Sequence, residues 1–270
     1  MEKVPESLVL IAGGGEYPLL LAQSAKHQGV RTLVVLALRG ETARRIADYA
    51  DEIHWFRVGQ FGGIADFLKH TQIRHAVMVG GVSPTCIFRL SLDAWTIALL
   101  RRLPAWNAHS IFGAVTKEIG AMGIELLPAW RFMEAHMPVP GQLGDRPPTG
   151  QEQRDIELGF KVALAVGALD IGQTVVVKDG AVLAVEGFEG TDATILRGGK
   201  LGGHGAVVVK AAKEGHDMRF DIPVIGPHTI KTLRRIRAGV LAVQAGRTII
   251  LGRNEVIDAA NRAGICLLAR

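Results

Sequence analysis

Residues 170–192 read DIGQTVVVKDGAVLAVEGFEGTD. Two apolar runs, Thr174–Lys178 and Ala181–Glu186, flank Asp179-Gly180. An Asp-Gly pair between strand-like runs predicts a β-hairpin, because a type I′ turn needs positive φ at both central residues. Asp170 lies just before the hairpin, and Glu186, Glu189 and Asp192 lie at or just past its end. Gly187 and Gly190 let the backbone bend between those acids, and Gln173, Thr191 and Thr194 add neutral polar groups. Two like charges at about 4 Å repel by roughly 4 kcal/mol at an effective dielectric near 20. A divalent cation among the carboxylates would remove that cost, and so would splaying into water.

Upstream of the hairpin, Gln151–Leu169 reads as a helix that Thr149 can cap. Before it, Pro128–Gly150 holds five prolines and three glycines, a composition that breaks helices and carries little strand pattern. The expected organisation is an N-terminal domain over 1–128, a linker over 129–150 and a C-terminal domain over 151–270. Downstream, strands are expected at Ala206–Ala211, Val240–Gln244, Thr248–Leu251 and Ile265–Leu268, with helices at Thr229–Ala238 and Arg253–Ala263. The second half is therefore mixed α/β.

The first half alternates strand and helix: Ser7–Ala12, Pro18–Gln28, Thr32–Leu38, Glu41–Tyr49, Glu52–Phe56, Ile64–His70 and His75–Val79. Thr32–Leu38 is a continuous apolar run, as a strand buried on both faces requires. Helices Ala94–Arg102 and Ser110–Met122 and a strand Ile124–Leu127 complete a Rossmann-like parallel sheet. Gly13-Gly14-Gly15 lies between a strand and a helix, where backbone N–H groups can receive a phosphate or nucleotide. Gly80-Gly81 ends a second strand and would face the same crevice. A plain tight turn is the competing reading. Pro18 replaces the third glycine of a dinucleotide fingerprint, and the second strand ends in Arg39 rather than an acid. Arg39 beside a nicotinamide 2′-phosphate remains an alternative.

The chain has 270 residues and a net charge of +5, which favours anionic partners. No Lys/Arg run interleaved with aromatics points to nucleic acid. Cys86 and Cys266 make neither a disulfide framework nor a CxxC metal site. No stretch approaches the roughly 18 apolar residues of a membrane span, and the N-terminus lacks a signal peptide's basic start. A cytoplasmic protein whose contact with any membrane is at most peripheral is expected. Lys210, Lys213, Asp217, Arg219, Asp221 and His228 form a second polar cluster. Arg219 and Asp221 alternate with Phe220 and Ile222, so on a strand they would share a face. A salt-bridged surface strand would look the same.

Several segments together resemble a known family. IAGGGEYP (11–18), VGQFGGIADFLK (58–69), PPTGQEQRDIELG (147–159), residues 170–197 and RFDIPVIGPHT (219–229) are similar to the UDP-2,3-diacylglucosamine diphosphatases of the LpxI type, which act in lipid A synthesis. WNAHS at 106–110 departs from that pattern. The resemblance implies a Rossmann-like N-terminal domain, a distinct C-terminal domain, a homodimer, and Mg²⁺ or another divalent cation. It implies cleavage of a lipid-linked UDP-sugar to UMP and 2,3-diacylglucosamine 1-phosphate. Asp221 is then the leading catalytic acid, with Asp192 and Glu189 beside it. Asp221, Asp192, Glu189 and Asp170 are the expected metal ligands. Gly13, Gly14, Gly15, Gly80, Gly81, Gln173, Thr191, Lys210 and Arg219 are the expected substrate contacts. A reductase using NADP and a non-catalytic nucleotide-sugar binder are the alternatives.

Overall fold

The computed structural model describes residues 3–82, 92–103, 108–212, 219 and 222–270. They form two compact units, the first reaching to Met133 and taking in Arg219, the second formed by the other residues from Glu134 on.

The first unit runs β1 (Ser7–Ala12), α1 (Tyr17–His27), β2 (Thr32–Arg39), β3 (Glu52–Arg57), α2 (Phe61–His70), β4 (His75–Val79), α3 (Ala94–Leu100), α4 (Ala108–Ala121) and β5 (Glu125–Leu126). Its strands are parallel in the order β3-β2-β1-β4-β5, the Rossmann-like layout the alternation predicts. β1 and β2 are buried almost end to end, because helices cover both faces of such a sheet. The helix expected at Glu41–Tyr49 is instead a short 3₁₀ turn, Arg44–Asp48. Thr42 explains the difference. Its hydroxyl donates to the Ala12 carbonyl at 2.5 Å and accepts the Leu38 amide at 2.9 Å. Those bonds tie the chain to the ends of β1 and β2 and leave too few residues for α-helical turns. Residues 129–133, expected in the linker, pack in this unit: the Tyr17 hydroxyl donates to Ala129 O and the Ser24 hydroxyl to Phe132 O, each at 2.6 Å.

The second unit runs β6 (Gly141–Gln142), α5 (Gly150–Ala168), β7 (Thr174–Lys178), β8 (Ala181–Val185), α6 (Thr191–Gly202), β9 (Val207–Lys210), β10 (Val224–Ile225), α7 (Pro227–Arg235), β11 (Val240–Val243), β12 (Ile249–Ile250), α8 (Arg253–Arg262) and β13 (Cys266–Ala269). Its main sheet has the order β6-β13-β11-β9-β7-β8. β13, β11 and β9 are parallel, while β6, β7 and β8 pair antiparallel. Alternate residues feed two cores. Val176, Val208 and Leu241 join Ile195, Leu233 and Val256 from α6, α7 and α8, whereas Val175, Val177, Val207 and Val209 join Ile156 and Ala163 from α5. This is the period of two that a strand imposes.

The Asp179-Gly180 turn has φ values of 50° and 78°, as a type I′ turn demands. Asp155, buried in α5, accepts both turn amides at 2.8 Å. The hairpin is thus clasped to α5 by one carboxylate. Cys266 is fully buried, and burial pushes its thiol up to about 11, so it holds no thiolate at neutral pH.

Candidate active site

The hairpin, α6 and β9 meet at the carboxyl edge of the second sheet. Thr174 pairs with Lys210 across β7 and β9, and Gly190, at φ 81°, turns the chain into α6 at Thr191. Lys210, 8% exposed, donates from Nζ to Thr191 Oγ1 at 2.7 Å. Thr191 Oγ1 donates to Glu186 Oε1 at 2.9 Å and lies 3.4 Å from Thr174 Oγ1. Glu186 Oε2 accepts the Gln173 amide at 3.3 Å. A hydroxyl offers one proton and two lone pairs, and Thr191 uses all three within this network. It therefore fixes Lys210, with Glu186 supplying a negative charge one hydroxyl away. Glu186 was expected as one acid among several; the five-residue spacing from Glu186 to Thr191 around the Gly187 and Gly190 bends is the signal for its anchoring role.

The remaining acids are held separately. Asp192, in the first turn of α6, accepts the Thr232 hydroxyl at 2.9 Å and lies 3.2 Å from His228 Nε2. His228 and Thr232 stand four apart on α7, so one helix face presents both to it. Glu189 pairs with Arg197 and accepts the Thr194 hydroxyl. The Arg197 hydrogen bond, with smaller help from backbone and Thr194, holds Glu189 below the usual carboxylate range. Asp170 is exposed at φ 58° after α5. The repulsion expected around the hairpin is thus relieved by Arg197, His228 and threonine hydroxyls as well as by solvent. Among the described residues no group of three His, Cys, Asp or Glu converges as metal ligands. Asp192, Glu189 and Asp170 do not build a dedicated metal cage. Asp221 lies outside the described residues, as do Lys213 and Asp217 and, in the divergent stretch 106–110, Trp106 and Asn107. Arg219 is exposed.

In the first unit the two glycine loops are zipped together. Gly13 N donates to Val79 O at 2.8 Å, Gly14 N to Gly81 O at 2.6 Å and Gly81 N to Gly14 O at 3.2 Å. Those three amides are spent on the protein, at the switch point between β1 and β4 where such sheets place ligands. A Cβ on Gly13 would lie 2.7 Å from Gly81 O, and one on Gly80, at φ 95°, would lie 2.8 Å from backbone atoms of Gly13 and Gly14. Gly15, at φ 89°, faces open space. Gly80→Ala is therefore expected to destabilise the protein by about 2–4 kcal/mol, combining backbone strain with a clash that cannot relax. Urea denaturation checks this; an unchanged midpoint would contradict the zipped geometry. Arg39 points its Nε toward Trp55 O at 3.4 Å on an exposed edge.

Comparison with known proteins covers both units. Residues 7–136 match the LpxI N-terminal domain and residues 139–268 the LpxI C-terminal domain. The chain is 34% identical, over 97% of its length and 96% of the relative's, to the UDP-2,3-diacylglucosamine pyrophosphatase LpxI of Caulobacter vibrioides. Two matching domain models in the right order, over a Rossmann-like sheet followed by a mixed one, place this chain in the LpxI family.

Proposed function

We propose that the protein hydrolyses the diphosphate of UDP-2,3-diacylglucosamine to UMP and 2,3-diacylglucosamine 1-phosphate, in lipid A synthesis. The observation that carries this reading is the buried, clamped Lys210 at the sheet's carboxyl edge, in a chain that resembles a named pyrophosphatase along its whole length. Lys210 binds a phosphate oxygen and stabilises charge that builds up as the anhydride breaks. Asp221 serves as the acid–base group for the attacking water, as the resemblance implies. Mg²⁺ would be held by one or two of the carboxylates Asp221, Asp192, Glu189 and Asp170 together with substrate phosphates rather than by a protein cage, and would neutralise phosphoryl charge.

Acyl chains gain roughly 0.8 kcal/mol for each CH₂ removed from water, so the substrate resides in a lipid surface and the enzyme works at the inner membrane as a peripheral protein. Among the described residues no helix is long and apolar enough to cross a membrane. A homodimer belongs to the same reading.

The test is UMP release from UDP-2,3-diacylglucosamine with Mg²⁺ and with excess EDTA. UMP is expected with Mg²⁺, and at least a hundredfold less with EDTA. Equal rates in both would remove the metal from the account.

A further inference from the structure

The amino-terminal edge of the second sheet, opposite the candidate site, holds a cleft that the hydrolysis does not use. This open cleft offers about 300 Å³ between Arg234, Arg237, the Ala238–Gly239 approach to β11 and the Ala263–Ile265 turn. Among the described residues no carboxylate lines it. Among the described residues neither arginine has an Asp or Glu within ion-pair distance. The charge is concentrated in the sequence as well. Residues 222–254 hold Lys231, Arg234, Arg235, Arg237, Arg247 and Arg253 and no acid, a formal charge of +6 against +5 for the whole chain.

Arg237 is the informative residue. It sits two positions past the end of α7 with φ 53°, in the left-handed region that side chains with a Cβ enter at a cost. The equivalent positions after α1, α4 and α8 are Gly29, Gly123 and Gly264, with φ of 107°, 75° and 67°, and after α5 it is Asp170, with φ 58°; glycine is the usual residue there. Arginines in the last turn of a helix favour its dipole, which accounts for Arg234 and Arg235. It does not account for a strained arginine beyond the helix. Arg237 is also held in place: its carbonyl accepts the Gly205 amide at 2.8 Å, and its Nη1 lies 3.2 Å from His204 Nε2. A strained backbone that delivers to a cleft a guanidinium with no carboxylate partner among the described residues is a reason to look for a ligand there.

We propose that this cleft binds a phosphate group, carried either by a small soluble phosphate or by a phospholipid headgroup. Two planar guanidinium forks match phosphate oxygens, and the volume lies at the small end of ligand sites. The proposal does not depend on the hydrolase reading.

Calorimetric titration with inorganic phosphate, at ionic strength held constant with chloride, tests it in the full-length protein. Lys210→Met serves as background to remove phosphate uptake at the candidate site. Saturable binding is expected there, weakened at least tenfold by adding Arg237→Gly. Glycine suits the left-handed position, so the melting temperature of that variant stays level or rises. Arg234→Gln repeats the test without touching the strained backbone. If only phosphatidylglycerol vesicles, and not phosphatidylcholine vesicles, sediment the protein, and Arg237→Gly abolishes this, the ligand is a headgroup. If neither phosphate nor phosphatidylglycerol vesicles distinguishes the parent from both arginine variants, the cleft is not a site.

Discussion

Lys210→Met is expected to lower the rate of UMP release by about 10²–10³-fold, the usual loss when a preorganised charge-stabilising donor is removed. Methionine keeps most of the stem volume in a position that is 8% exposed, so packing is conserved and the ammonium is lost. The loss should fall mainly on kcat, because the ammonium acts most strongly where charge develops. Thr191 offers a graded companion. Its hydroxyl is shared among Lys210, Glu186 and Thr174, so Thr191→Val should cost about tenfold by leaving Lys210 loosely held, while Thr191→Ser should retain most activity. Steady-state kinetics on all three variants checks this order. A fully active Lys210→Met would remove the central contact from the site.

Glu152→Ala is expected to destabilise the protein by about 2–3 kcal/mol, below the range for a fully buried ion pair because the Arg146 side chain is 34% exposed. Glu152 is 9% exposed, and both its oxygens receive Arg146 Nη2, at 2.7 and 3.0 Å. Arg146 also donates to Gly239 O at 2.9 Å, and Glu152 completes a capping box with Thr149. One carboxylate thus joins the segment before α5, the start of α5 and the approach to β11. Burial pushes the Glu152 carboxyl up, but Arg146 and the Thr149 amide outweigh it and leave it below its ordinary value of 4.5. A lowered folded value means stability that is fully present above about pH 4.5 and lost as pH falls through the folded value. Urea midpoints measured from pH 7 to pH 3 should show that acid-labile component in the wild type and its absence in Glu152→Gln. Parallel curves for the two would contradict the ion pair.

Much of the fold was legible because two signals are local. The apolar runs of β1 and β2 and the glycines closing β1 and β4 mark a parallel sheet, and Asp179-Gly180 marks the hairpin that makes the second sheet mixed. α6 was not legible. Gly198, Gly199 and Gly202 lower its intrinsic propensity, yet they let the helix lie close: a Cβ on Gly198 would meet Val176 at 2.6 Å and one on Gly199 would meet Ile236 at 2.4 Å. Tertiary packing chose helix where local preference did not. The same holds for the ends of the expected linker, where residues 129–133 pack in the first unit and Gly141-Gln142 pairs with β13. In the candidate site, residue types singled out the acids but not their partners. Arg197, His228 and Thr232 reach Glu189 and Asp192 from other helical turns, and that pairing depends on how α6 meets α7.

The most direct test of the central claim is a single-turnover experiment with UDP-2,3-diacylglucosamine and Mg²⁺, comparing the wild type with Asp221→Ala. The account predicts stoichiometric UMP from the wild type, and intact substrate that remains bound to the variant. A wild type that binds the substrate and releases no UMP under any divalent metal would contradict it and leave a nucleotide-sugar binding protein in its place.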